Sequence, residues 1–363
     1  MPTVRPFPAL RLSPDRIDRA ATDPIPQTLP ASAAAAASVY LRDPEPVFYI
    51  YRMLRDGHEQ TVIVAAVNVD GYDEGTIKRH ELIRPAKVDV QVRLIDEFCG
   101  NIEPTLLTYD SVGKPLPGVA AYTKTHEPLY DFAGEDDTIH TIWAIDDGLL
   151  TEELQLFFRT VDALYICDGH HRIAASAAYA KQSKNPKAQY FMAAIFPSEE
   201  MLILDFNRAV TDLNGLSQAE LLEKLRAASF VTECVGNAPY RPAARGEFAM
   251  VLDDEWYRLR YTGERDESDP VAALDVSVLQ DKILGPILGI ADPTHDERIT
   301  FLRAMRGLAG LQAMTHRGMK AAFATFPVTM REIHEVADCG LTMPPKSTCF
   351  EPKPVQNLLI HTI

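Results

Sequence analysis

Leu164-Tyr165-Ile166-Cys167-Asp168-Gly169-His170-His171-Arg172-Ile173-Ala174-Ala175-Ser176-Ala177-Ala178-Tyr179 decides how this chain of 363 residues is read. A short apolar run, rich in aromatic and β-branched residues, breaks into polar side chains and a glycine and then into an alanine-rich segment. That is the pattern of a strand, a tight turn and a helix. Asp168, His170, His171 and Arg172 therefore stand at a helix N-terminus, where the first amides have no partner within the helix and the macrodipole favours negative charge. Phosphate or carboxylate is the expected occupant. Arg172 adds a planar, permanent cation, and the two histidines titrate near neutral pH. The purely structural alternative makes Asp168 the N-cap, Gly169 a residue chosen for its backbone angles, and His170 and His171 solvated groups on the first turn.

Toward the N-terminus, His140-Thr141-Ile142-Trp143-Ala144-Ile145 alternates as a strand, and Asp147 to Thr160 follows as a helix leading into the motif. Val47 to Met53 and Thr61 to Val67 are β-rich runs joined through Asp56-Gly57, a strong hairpin signal. Between them and the motif, a polar loop from Gly75 to Asp89 feeds a helix expected over Val90 to Cys99, and Thr105 to Tyr109 is expected as a strand. The first 30 residues carry repeated prolines and are expected to run extended, followed by a short helix over Ala33 to Ala37 with Ser32 as its cap. Beyond the motif, Tyr190 to Phe196 and Leu202 to Arg208 are strand candidates.

After about residue 209 the pattern changes. Ser217 and Glu220 are spaced as a capping box before a clear helix. Glu247 to Leu252 and Glu255 to Tyr261 flank Asp253-Asp254 as a second hairpin. Val276 to Leu284, Met305 to Gln312 and Thr329 to Asp338 supply helices, and Leu358 to Ile363 a last strand. The expected class is α+β, with residues 1–208 forming a mixed-sheet lobe that carries the motif and residues 209–363 a C-terminal α+β lobe.

Composition limits the function. The 36 basic and 51 acidic side chains give a net charge of −15, which repels polyanions and makes nucleic acid an unexpected partner. Five cysteines without a C-x-x-C pair fit reduced thiols in a cytosolic protein rather than a disulfide framework. The N-terminus lacks the apolar core of a signal peptide, and no uncharged apolar run approaches the roughly 20 residues of a membrane span. A cytoplasmic protein without a membrane partner is expected.

Two further stretches carry chemistry. His80-Glu81, in a loop with Lys78, Arg79 and Arg84, offers general acid–base or phosphate-holding groups; a solvated charged loop is the alternative. Met343-Pro344-Pro345-Lys346-Ser347-Thr348 is a proline-stiffened turn presenting one charge and two hydroxyls; a rigid surface turn is the alternative. A metal site built from Asp168, His170 and His171 with His80 and Glu81 is also conceivable, although adjacent histidines diverge on a helical turn.

Together these stretches resemble the uncharacterised family called domain of unknown function 1015, nearly end to end. The matching pieces are Arg5-Pro6-Phe7 with Ala9-Leu10-Arg11, Phe48-Tyr49, His80-Glu81 with Lys87 and Asp89, Asn101 with Pro104, Asp168 to Arg172 with Ala175, Asp275 to Leu279, and Met343 to Thr348 with Pro352-Lys353. The chain departs from the family pattern at Asp23-Pro24-Ile25-Pro26, Ile83 and Val90. Around its Asp-Gly-His-His-Arg motif the family is similar to the ParB/sulfiredoxin superfamily. That resemblance implies a ParB/sulfiredoxin-like mixed sheet, with Gly169 where phosphate approaches and His171 and Arg172 as phosphate contacts. His170 falls where sulfiredoxins place their nucleophilic cysteine, so sulfinic acid reduction is not expected.

Some ParB-like proteins with a similar turn phosphorylate free serine, and the resemblance therefore implies a nucleotide-dependent small-molecule phosphotransferase. In that scheme the helix start and Arg172 hold the phosphates of a nucleoside di- or triphosphate, Lys346 neutralises developing charge, His171 or Glu81 takes the hydroxyl proton, and Mg2+ binds through Asp168. Ser347 and Thr348 join the phosphate contacts, His80 joins the acid–base pair, and His80, Arg172 and Lys346 are expected to line one cleft. The ligand is then a small anionic or phosphorylated molecule. The alternatives are a nucleotide-binding switch without turnover and a metal-dependent hydrolase.

Overall fold

Asp56 and Gly57, with φ of 50° and 80°, form the two-residue turn that joins the strand Tyr49–Arg55 to the strand His58–Asn68. Left-handed angles at both turn positions match the twist of the flanking strands, which explains the force of an Asp-Gly signal. The structure is a computed structural model and describes residues 1–17, 39–303 and 307–363. The helix expected over Ala33 to Ala37 and the segment Asp23 to Pro26 lie outside the described residues.

Among the described residues the chain divides into two units. Unit 1 comprises Met1–Arg79, Ile83–Leu202 and Pro352–Ile363; unit 2 comprises His80–Leu82 and Ile203–Glu351. The division is discontinuous, unlike the single boundary near residue 209 drawn from composition. The strand Leu359–Thr362 pairs with Leu10–Leu12 and with Gly100–Asn101, so the end of the chain completes a sheet of unit 1.

Unit 1 is built on a nine-stranded mixed sheet. Its central strand His58–Asn68 runs between Tyr49–Arg55 and Tyr190–Pro197, and it is apolar on both faces from Val62 to Val67 because both faces are covered. Tyr190–Pro197 pairs in parallel with Thr105–Tyr109, and the motif strand Leu164–Asp168 pairs in parallel with Ile77–Lys78; the other pairings are antiparallel. Helices Gly148–Phe158 and His170–Gln182 bury Leu150, Leu154, Phe158, Ile173, Ala177 and Ala180 in one apolar core with Phe48, Ile63 and Phe191. Helices and a mixed sheet make the fold α+β.

The helix expected from Val90 begins earlier, at Pro85, and runs to Phe98. Proline is at home in the first turn, where its missing N–H costs nothing, so Arg84-Pro85 starts the helix rather than punctuating a loop. The proline-rich N-terminus is less irregular than expected. It contributes the strands Val4–Arg5 and Leu10–Leu12 and the short helix Pro14–Ile17.

Unit 2 holds a six-stranded antiparallel sheet in the order Phe230–Gly236, Glu255–Tyr261, Glu247–Leu252, Ala321–Thr325, Phe206–Val210, Ile299–Arg303. Helix Gln218–Ala227 starts with the capping box of Ser217 and Glu220, and helix Met330–Asp338 with a second one of Thr329 and Glu332. The segment expected as one helix from Val276 to Leu284 is an α-helix over Asp275–Leu279 that widens into a π-turn over Gln280–Leu284. A helix spans Gly307–Thr315, and Met305 lies outside the described residues.

Candidate functional site

The motif residues are placed by a bulge and a left-handed glycine. In the pairing of Leu164–Asp168 with Thr105–Tyr109, Ile166 opposes Leu107 and Asp168 opposes Leu106, so Cys167 is an extra residue and the ladder ends at Asp168. Bulges of this kind re-aim side chains next to functional sites. Gly169 then takes φ 95° and ψ 24° as the N-cap of helix His170–Gln182, and among the described residues no side-chain cap bonds the helix's first amides. The alternative in which Asp168 caps its own helix is thus not the arrangement present.

Asp168 instead joins a four-member ion cluster within unit 1. Its Oδ2 receives Arg172 Nη2 at 3.0 Å and its Oδ1 receives Lys353 Nζ at 2.9 Å. Arg172 Nη1 meets Glu103 Oε1 at 2.6 Å, and Nη2 also donates to the Pro104 carbonyl at 3.3 Å. Burial would raise the Asp168 carboxyl, but Arg172 and Lys353 hold it below the usual carboxylate range. Arg172 Nε is buried and has no hydrogen-bond partner among the described residues. The cluster balances two cations against two carboxylates and fixes the guanidinium in one plane.

The two histidines differ. His170 is buried, at 2% exposure, rather than solvated on the first turn. His171 Nε2 accepts the backbone N–H of Arg84 at 3.1 Å, so its other ring nitrogen carries the hydrogen. Burial, then Lys87 and Arg84, push its pKa down, which keeps it neutral at neutral pH. The ring nitrogen that would receive a substrate proton is therefore already engaged.

Beside Arg172, helices Pro85–Phe98 and His170–Gln182 pack together, and a cavity of about 260 Å³ opens where Ile95 and Phe98 face Asn101, Glu103, Arg172 and Ser176. Glu103 and Lys353 carried no predicted role. Their signals were thin: a glutamate within Asn101-Ile102-Glu103-Pro104, and a lysine behind the Lys346-Ser347-Thr348 turn that drew attention instead.

The remaining predicted residues belong to unit 2. His80 is buried, at 1% exposure; its carbonyl accepts the Met343 amide at 2.8 Å and its ring lies 6.3 Å from that of Phe350. Glu81 is half-buried. Lys346 is exposed, holds φ 61°, and places its ammonium 5.6 Å from the Phe206 ring centre. Ser347 is buried and spends its hydroxyl on the Pro344 carbonyl at 2.6 Å; Thr348 is half-buried. Of the three residues expected in one cleft, Arg172 lies in unit 1 and His80 and Lys346 in unit 2. Among the described residues no three His, Cys, Asp or Glu side chains converge as a metal site; of the five residues considered for one, Asp168, His170 and His171 lie in unit 1 and His80 and Glu81 in unit 2. No helix among them is long and apolar enough to cross a membrane.

A family model described as "Protein of unknown function (DUF1015)" matches residues 31–277. A search of curated proteins gives no match. Among solved structures, free serine kinase in complex with AMP is similar at 15% identity and a TM-score of 0.40, over 81% of this chain and 90% of that one. SbnI with a C-terminal truncation, from Staphylococcus aureus, is similar at 15% identity and a TM-score of 0.43, over 81% of this chain and 85% of that one. A conserved hypothetical protein from Pyrococcus furiosus is similar at 14% identity and a TM-score of 0.38, over 84% of this chain and 95% of that one.

Proposed function

Because the chain belongs to the DUF1015 family, whose description assigns no activity, we propose from the chemistry of unit 1 that it is a nucleotide-dependent small-molecule phosphotransferase that uses its motif in a ParB/sulfiredoxin-like way. The observation that carries this reading is the start of helix His170–Gln182: a left-handed Gly169, no capping side chain among the described residues, and Arg172 beside a small cavity that mixes apolar walls with Asn101, Glu103 and Ser176. Amides at such a helix start, with a guanidinium alongside, suit phosphate oxygens.

At about 260 Å³ the cavity lies just below the roughly 300–1,000 Å³ of ordinary ligand pockets, so it suits a small acceptor and not a whole nucleotide. In this proposal the phosphates lie along the helix start, and Arg172 turns from Glu103 toward them. Asp168, held ionised, is the residue for Mg2+, which takes one or two carboxylates together with phosphate oxygens and would neutralise charge on the transferring group. His171 holds the Arg84 loop in place rather than receiving a proton, and Glu103 is the carboxylate facing the cavity that suits an acceptor hydroxyl. The roles proposed for His80, Glu81, Lys346, Ser347 and Thr348 concern unit 2 and need their own variants.

The test is phosphorus NMR of the purified full chain with Mg2+, each of the four nucleoside triphosphates and a panel of small hydroxyl compounds. A phosphorylated acceptor is expected, with Arg172→Gln slowing its formation by about 10²–10³-fold, the usual loss of one preorganised charge donor. Nucleotide binding without any product would replace the enzyme with a switch protein; absence of binding would remove both.

A further inference from the structure

Arg5-Pro6-Phe7 matched the family pattern yet has no part in the proposed function, and it leads to a second cavity of unit 1. This cavity measures about 440 Å³, and its lining includes Arg5, Phe7, Pro8, Pro46, Lys187 and His361. Among the described residues no carboxylate lines it, and it shares none of them with the cavity at Arg172. Among the described residues neither Arg5 nor Lys187 forms an ion pair. The Arg5 guanidinium lies 3.2 Å from the centre of the Tyr190 ring, which fixes its plane without neutralising its charge.

His361 adds a directed group. It is 4% exposed, and its ring stands edge-on to Phe7 at 5.2 Å. Asn101 Oδ1 accepts the Met192 amide at 3.2 Å, so it is also an oxygen that faces His361 Nδ1 at 3.4 Å. Nδ1 therefore carries the hydrogen, and Nε2 is the acceptor. Burial, then the nearby Arg5 and Lys187, lower this imidazole to about 4. An anion placed between the two cations would relieve that repulsion.

We propose that this cavity binds a dianionic phosphomonoester, its phosphoryl group held by Arg5 and Lys187 and its organic part against Phe7, Pro8 and Pro46. Two uncompensated cations match two negative charges. The volume far exceeds that of a phosphate ion, and the prolines and phenylalanine supply an apolar wall for the remainder. His361 Nε2 accepts from a hydroxyl of that remainder.

Calorimetry on the full chain at low salt, with phenyl phosphate as probe and inorganic phosphate beside it, tests this. One equivalent of phenyl phosphate should bind, more tightly than inorganic phosphate, and the His361 imidazole NMR signal should shift with it. Lys187 is exposed on a surface turn, so Lys187→Gln leaves the fold intact and should weaken binding about tenfold or more, the worth of one charged hydrogen bond. Arg5→Lys, which keeps the charge but loses the planar stack, should weaken it too, while Arg172→Gln should not. Unchanged affinity in both the Lys187 and Arg5 variants, no binding up to millimolar probe, or loss of binding on Arg172→Gln alone would overturn the assignment.

Discussion

Gly169 carries the tightest constraint in the motif. A Cβ there would sit 2.8 Å from Arg172 Nε, 2.9 Å from Nη2 and 3.0 Å from Thr105 Cγ2, at a φ of 95° that side-chain-bearing residues rarely adopt. Gly169→Ala should therefore cost about 1–3 kcal/mol and displace Arg172 from Asp168 and Glu103. Urea unfolding checks the first part, and an unchanged midpoint would refute it. Two buried histidines give a second prediction. His140 Nδ1 lies 3.0 Å from the Tyr51 hydroxyl, and burial first of all lowers its pKa to about 4, as it does that of His361. As the pH falls below their ordinary 6.5, the unfolded chain takes up protons that the folded chain refuses, so stability is complete above that value and is lost between 6.5 and about 4. Near pH 5 each histidine should cost on the order of 2 kcal/mol. Imidazole NMR signals titrating near 6.5 in the folded chain would end that expectation. The motif itself could be read from sequence because strand, glycine and helix start are local features. Glu103 and Lys353 could not, since they reach Asp168 and Arg172 only through tertiary folding of distant segments.

Element starts were readable where a side chain makes the cap. Ser217 accepts the Glu220 amide at 3.3 Å, while the Glu220 carboxylate accepts the Ser217 amide at 2.8 Å. Ser217→Ala should cost about 1 kcal/mol, measured by thermal or urea unfolding, and Thr329→Ala, at the same motif of helix Met330–Asp338, a similar amount. A loss under a few tenths would show that tertiary contacts alone hold those helices. The hairpin at Asp56-Gly57 and the one at Asp253-Asp254, with φ of 51° and 63°, were equally clear, because turn chemistry is written in adjacent residues. Helix Pro85–Phe98 starts ahead of the expected Val90 because a proline marks a loop and a first helical turn equally well. Strand Ala321–Thr325 has no local signature: its alanines have weak β preference, and pairing between Glu247–Leu252 and Phe206–Val210 with both faces buried makes it a strand.

The return of the C-terminus to unit 1 had no local signature, because a single sequence shows where composition changes but not which edge a terminal strand will join. Leu358, Leu359 and Ile360 are buried there at 0–4% exposure, and each such side chain is worth about 1.5–3 kcal/mol. The same segment brings the Pro352 carbonyl to Gln60 Nε2 at 2.7 Å, the Val355 amide to the Tyr51 hydroxyl at 3.0 Å, and Lys353 to Asp168. Ending the chain at Glu351 removes all of these while leaving unit 2 its full sequence. The sum exceeds about 4 kcal/mol, a large share of the roughly 5–15 kcal/mol that holds an ordinary domain. Hydrogen exchange on the shortened chain should therefore show lost protection at Leu10–Leu12, Gly100–Asn101 and the motif strand Leu164–Asp168, with protection kept at Glu247–Leu252 and Ala321–Thr325 of unit 2. If both units lose protection together, their stabilities are one quantity and the protein unfolds as a single cooperative body. If neither does, the terminal strand contributes little, and Asp168 must be held by Arg172 alone.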